Sequence, residues 1–211
     1  MKTAFVAGAS GLIGSQLLPL LLSADRYSKV YAITRKPLPE HTRLIQLTAD
    51  MADVASYADV RVDDVFCCLG TTIAVAGSKE NFRKVDFVFP TVMAKSLRDN
   101  GASQYMLVSA LGADKSSSIF YNRVKGEVED AISQAGYRSL HIFRPSLLLG
   151  HREEKRTGED AAKVFYKIFG LLIPKKYKGI DAGSVARAML HYALQDKSGK
   201  HIHESGELQA F

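Results

Sequence analysis

Short apolar runs alternate with longer helical stretches along most of the chain. Lys2-Thr3-Ala4-Phe5-Val6-Ala7 is rich in β-formers and predicts a buried strand. Leu12 to Leu22 is long enough for a helix, and Pro19 inside it is expected to remove a hydrogen bond or kink it. Lys29 to Thr34 reads as a second strand, ended by Pro37 and Pro39. Leu44 to Leu47 is a short third strand leading to Asp50-Met51-Ala52-Asp53, and Val65 to Leu69 is a fourth, closed by Gly70. Lys79 to Asp99 predicts one long helix bent at Pro90 and ended by a left-handed cap at Asn100-Gly101. Tyr105 to Val108 is the fifth strand. Ile119 to Gln134 is a helix capped by Ala135-Gly136, and Leu140 to Phe143 is a sixth strand stopped by Pro145. This alternation predicts an α/β fold, a doubly wound parallel sheet covered by helices on both faces. Beyond residue 145 the regularity fails. Helices near 161–169 and 184–194 and a last strand near 201–208 are expected there.

The length of 211 residues suits one domain of ordinary α/β size, so residues 1–211 are read as a single unit, with about 145–200 as a small C-terminal extension. A 46% hydrophobic and 24% charged composition supports a full core and excludes disorder. No apolar run reaches the ~18 residues a membrane helix needs, so no membrane partner is expected. Met1 leads straight into the first strand without a leader segment, which makes a soluble cytoplasmic protein the expectation. The two cysteines, Cys67 and Cys68, are neighbours on a strand and point to opposite faces, so neither a disulfide nor a metal site is expected of them. The net charge of +6 is uneven: residues 151–180 carry eight Lys or Arg against four acids. That window is either solvated surface or a rim that attracts an anionic substrate or partner. No zinc-finger, RNA-stacking or helix-turn-helix signature accompanies it, so nucleic acid is not an expected partner. A small-molecule substrate is, with the chain as a monomer or homodimer.

The first strand runs into Gly8-Ala9-Ser10-Gly11-Leu12-Ile13-Gly14 and then a helix. Strand, glycine turn and helix bring unpaired backbone N–H groups and the positive end of a helix dipole to one point, a ready site for a pyrophosphate. One glycine permits the turn, one lets the backbone approach the phosphates and one lets the helix pack on the strand. The second strand ends at Thr34-Arg35-Lys36, where an acid would hold the ribose 2′-hydroxyl of NAD. Arg35 stands 21 positions after Gly14, with no acid until Glu40. A guanidinium matches a 2′-phosphate, which favours NADP over NAD. Asp50 ends the third strand, where its carboxylate can reach the adenine edge. Leu69, Gly70 and Thr71 should flank the cofactor, because ligands lie off the carboxyl ends of parallel strands.

Ser109 closes the fifth strand and points toward the same crevice. Twelve residues on, Tyr121-Asn122-Arg123-Val124-Lys125 opens a helix with Tyr and Lys on one face. A free tyrosine exchanges protons only near pH ~10. A lysine cation beside it stabilises the phenolate and can also hold the nicotinamide ribose. Tyr121 could then protonate a carbonyl oxygen while hydride arrives from NADPH, with Ser109 hydrogen-bonded to that oxygen.

These features resemble the short-chain dehydrogenase/reductase superfamily, in its extended or atypical branch, and more closely its Tat-interacting-protein-like members. Cys67-Cys68-Leu69-Gly70-Thr71-Thr72, Gly112-Ala113-Asp114-Lys115-Ser116-Ser117, Lys125-Gly126-Glu127-Val128-Glu129 and Phe143-Arg144-Pro145 carry the likeness. The resemblance implies a Rossmann-like NAD(P)-binding domain whose catalytic residues are Ser109, Tyr121 and Lys125. It implies that Gly8, Ser10, Gly11, Leu12, Ile13, Gly14 and Arg35 hold NADP, and that Leu69, Gly70, Val108 and the loop at Pro145-Ser146 line the nicotinamide half. Two departures bear on the proton relay. Asp86 falls near where relatives place an Asn, and Ala110-Leu111 follows Ser109 where they often show Ser-Lys. The expected activity is an NADP-dependent oxidoreductase acting on a small carbonyl or alcohol. The alternative is an NADP-binding regulatory or interaction module with little turnover. The aromatics and basics at Phe165, Tyr166, Lys167, Phe169 and Tyr177 could line a pocket or belong to an ordinary helix.

Overall fold

The computed structural model describes residues 1–50, 53, 57–149 and 178–211. The expected helix near 161–169, its aromatics and all of the basic window but residues 178–180 lie outside the described residues. Seven parallel strands form one sheet: β1 (Lys2–Ala7), β2 (Tyr27–Thr34), β3 (Leu44–Thr48), β4 (Asp64–Cys67), β5 (Gln104–Val108), β6 (Ser139–Arg144) and β9 (Gly199–Glu204), in the order 3-2-1-4-5-6-9. β7 (Leu148–Leu149) and β8 (Ile180–Asp181) make a separate two-stranded pair. The central strands β1, β4 and β5 bury apolar runs because both faces of the sheet are covered, whereas the edge strands β3 and β9 carry polar residues such as Gln46, Lys200 and Glu204. On one face, α1 (Gly14–Ser23) and α6 (Ala182–Gln195) bury Leu17, Leu18, Leu21, Val185, Ala188 and Met189 against Val6, Phe66 and Met106. On the other, α4 (Phe89–Asp99) and α5 (Phe120–Ser133) bury Met93, Leu97, Val128 and Ile132 against Phe5, Val65 and Leu107. Cys67, the last residue of β4, and Cys68, which follows the strand, are free thiols packed against opposite cores.

The strand order reverses between β1 and β4, and a crevice opens at such a point beyond the carboxyl ends of the strands. The glycine turn leaves β1 there, and residues 68–72 leave β4 there.

Three expectations need correction. The long helix over 79–99 is three pieces: α3 (Lys79–Arg83), a wide π turn (Lys84–Val88) and α4. Pro90 has no N–H for the Asp86 carbonyl four residues back, and its ring would clash there, so the backbone widens immediately before it. The Phe89 N–H reaches back five residues to the Lys84 carbonyl instead. The last strand ends at Glu204, and Ser205–Leu208 form the short helix α7. This turn buries Leu208 and lets Glu207 meet His203 and Tyr192. The fourth strand stops at Cys67, and the Cys68 N–H bonds the Ala7 carbonyl as the chain leaves the sheet. Pro19 stands on the exposed side of α1, which runs through it.

Candidate active site

The glycine turn is built so tightly that side chains are excluded. Gly8 takes φ +79°, and a Cβ on it would lie 2.7 Å from the Cys68 carbonyl oxygen. A Cβ on Gly14 would lie 2.0 Å from the Gly8 carbonyl oxygen, so only glycine lets α1 start this close to the turn. The Gly11 N–H donates to the Gly8 carbonyl at 2.9 Å and closes the loop. Ser10 and Gly11 are exposed, Leu12 is half-buried and Ile13 is buried in the core. Ile13 caps α1 without a side-chain hydrogen bond, and the first turn holds no acid. Among the described residues the positive end of the helix therefore has no side-chain cap, which suits an anionic group. The residues present thus fit a dinucleotide pyrophosphate.

Arg35 follows β2 directly and is exposed, beside the turn that leaves β1. Asp50 is exposed two residues past β3, and its carbonyl accepts from the Asp53 N–H at 2.9 Å. Leu69 is half-buried and Gly70 is exposed at the head of the β4 loop. Val108 is buried in the core at the end of β5. Pro145 is buried, and its carbonyl accepts from the Leu111 N–H at 2.9 Å, tying the loops after β5 and β6 together. The Ser146 hydroxyl is turned toward the C-terminal segment, where it bonds the Lys178 carbonyl and accepts from Ser205 at 2.9 Å.

Tyr121 and Lys125 lie one turn apart on α5, as the spacing requires. The Tyr121 ring packs 5.4 Å from the buried ring of Phe82 on α3. Lys125 is 4% exposed, and its ammonium lies 2.6 Å from Asp86 Oδ1. Asp86 Oδ2 accepts from the Thr71 N–H at 3.0 Å. A Cβ on Gly70 would stand 3.6 Å from both Asp86 Oδ1 and Lys125 Nζ, so the β4 loop lies over this ion pair. Burial alone would push the Lys125 ammonium toward neutrality. The Asp86 carboxylate, with Tyr121 beside it, more than offsets this and holds the lysine above its usual range. Asp86 is thus part of the site, placed inward by the π turn.

Ser109 is buried at the end of β5, and its hydroxyl donates to Glu129 Oε1 at 2.5 Å. Arg144 clamps the same carboxylate, with Nε on Oε1 at 3.0 Å and Nη2 on Oε2 at 2.6 Å, and reaches Glu204 at 3.1 Å. Glu129 is the residue the motif reading missed. It stands four residues after Lys125 and eight after Tyr121 on the same helix face, a spacing that was available in the sequence.

The sequence model of the family described as NAD dependent epimerase/dehydratase matches residues 4–168. Protein HTATIP2 of Rattus norvegicus is 37% identical over 207 residues, covering 94% of this chain and 84% of that protein. Protein fmp52, mitochondrial, of Aspergillus clavatus is 34% identical over 214 residues, covering 94% and 90%. Among solved structures, the Bordetella bronchiseptica enzyme WbmH in complex with NAD+ superposes with a TM-score of 0.73 at 18% identity. It covers 97% of this chain and 76% of that one, and the likeness is one of fold.

Proposed function

The chain belongs to the NAD dependent epimerase/dehydratase family, and from that premise we propose that it is an NADP-dependent oxidoreductase. In this reading a small carbonyl or alcohol is the substrate, with Tyr121 as proton donor or acceptor. The observation that carries the reading is the buried Lys125 cation, one helical turn from Tyr121 and roofed by Gly70 beside the glycine turn. Gly8, Ser10, Gly11, Leu12, Ile13 and Gly14 would hold the pyrophosphate, and Arg35 the 2′-phosphate. Leu69, Gly70, Val108 and Pro145 would border the nicotinamide end, with Ser146 behind them. When bound, the dinucleotide supplies or accepts a hydride. Tyr121 gives its phenolic proton to the substrate oxygen, and the Lys125 charge stabilises the phenolate left behind. Lys125 also has protons to spare for ribose hydroxyls. Ser109 would orient the substrate oxygen after turning its proton away from Glu129, since a hydroxyl has only one to donate.

Arg35, exposed at the end of β2 with no acid in its place, supports NADPH over NADH. Fluorescence titration of both cofactors tests this. NADPH should bind more tightly, and Arg35→Ala should remove the difference while leaving NADH affinity in place. Equal wild-type affinities would overturn the preference. An anionic substrate drawn by the basic window remains part of the proposal, as does a cytoplasmic setting. For the latter an organelle is the alternative, since the fungal relative carries "mitochondrial" in its name.

The Ser109 contact favours a second reading. A serine whose proton is committed to Glu129, itself clamped by Arg144, suits an NADP-binding regulatory module with little turnover. NADPH binding without reduction of any member of an aldehyde and ketone panel would support it.

A further inference from the structure

The chemistry above gives the buried Asp86 no role of its own. Asp86 is 1% exposed and sits on the π turn. The segment carrying it is docked on α5 along its length. The Phe82 ring lies 5.9 Å from Phe120 and 5.4 Å from Tyr121, Arg83 pairs with Glu127, and Asp86 pairs with Lys125. A lysine side chain is a flexible four-carbon stem, and a buried ammonium without a partner is strongly disfavoured. Asp86 removes both problems through Oδ1, and through Oδ2 it fixes the Thr71 N–H at the start of the β4 loop. One ammonium proton on Asp86 leaves two for a ribose or for the Tyr121 oxygen.

We propose that Asp86 is the positioning residue of this site, holding the Lys125 ammonium and the Thr71 loop in one arrangement before the cofactor arrives. The inference rests on Lys125 contacting the dinucleotide, as proposed above. The titratable groups facing Lys125 are Asp86 from the π turn, Cys67 from β4 and Tyr121 from its own helix. Burial pushes the Cys67 thiol up, so it stays neutral. Asp86 is the carboxylate of that set, and without it burial favours the uncharged lysine.

Asp86→Asn keeps an acceptor for the Thr71 N–H but removes the charge. NADPH affinity would be measured by fluorescence for the wild type, Asp86→Asn, Lys125→Met and the double variant, from neutral to mildly alkaline pH. Wild-type affinity should vary little with pH. Asp86→Asn should bind about 10-fold more weakly, and weaker still as pH rises and Lys125 loses its proton. Adding Lys125→Met to Asp86→Asn should cost little more, because the lysine is already out of place. An Asp86→Asn affinity equal to wild type and flat with pH overturns the inference, as do strictly additive penalties. If Asp86→Asn does not fold alone, Lys125→Met and the double variant carry the test. Equal affinity in the two supports the inference, and a further loss in the double overturns it. A wild type that binds neither NADPH nor NADH overturns the cofactor reading itself, and this inference with it.

Discussion

Acidifying the protein from pH 7 to pH 5 should destabilise it, chiefly through His141. His141 on β6 is 1% exposed, and its Nδ1 lies 2.9 Å from Nε2 of His203 on β9. His203 Nδ1 in turn lies 3.0 Å from Glu207, which also accepts from the Tyr192 hydroxyl at 2.5 Å. The other groups facing His141 are His201 on β9, Lys197 in the loop before it and the Tyr192 ring. Burial, then His203 and His201, pushes His141 from 6.5 down to about 4. The folded state therefore refuses a proton that the unfolded state accepts, and stability falls as pH drops through 6.5 toward 4. Each pKa unit is worth 1.36 kcal/mol, so the full loss is about 3 kcal/mol, with about 2 kcal/mol already lost at pH 5. That window lies above the range in which most carboxylates titrate, so they contribute little to it. His203 is lowered in the same direction and adds to the slope. His141→Asn offers an amide N–H in place of Nδ1 and cannot titrate. Denaturant unfolding at fixed ionic strength should show a shallower loss between pH 7 and 5 in this variant than in the wild type. A flat wild-type profile, or identical slopes in the two proteins, would refute the reasoning.

Gly14→Ala should abolish NADPH binding and destabilise the fold by about 1–3 kcal/mol, because its Cβ would meet backbone at 2.0 Å that cannot yield. Ordinary cofactor affinity in this variant would show that the turn relaxes. Arg144→Met should cost about 3 kcal/mol in denaturant unfolding, since the Glu129 carboxylate, with its side chain 5% exposed, would keep only Ser109 as partner among the described residues. A loss under about 0.5 kcal/mol, the scale of an exposed pair, would mean that water replaces the guanidinium.

The pattern of the chain made the first half of the sheet legible because Ala4–Ala7 and Val65–Cys67 are apolar runs leading toward glycines, and the strands between them are rich in β-formers. Gly8 and Gly14 were legible as necessary glycines for the same reason: strand and helix patterns leave no room between them. The π turn was hidden because Pro90 announces a disturbance in a helix without saying what form it takes. Asp86 was noticed as a departure, yet its ion pair with Lys125 joins residues 39 apart and belongs to tertiary packing. Ser109 closes its strand as expected, but its partner Glu129 comes from a helix, and the Arg144 that clamps Glu129 comes from another strand. The C-terminal strand is shorter than expected because Ser205–Leu208 turn into a single helical turn that buries Leu208.

The central claim is that Tyr121 supplies the proton for an NADPH-dependent reduction. NADPH consumption would be followed with an aldehyde and ketone panel, alongside NADPH affinity, for the wild type and Tyr121→Phe. The phenyl ring keeps the contact with Phe82 and the cofactor site standing, so affinity should be unchanged. Turnover of any accepted substrate should fall by ~10²–10⁴, the share a general acid contributes. A Tyr121→Phe protein that turns over as fast as the wild type would contradict the account.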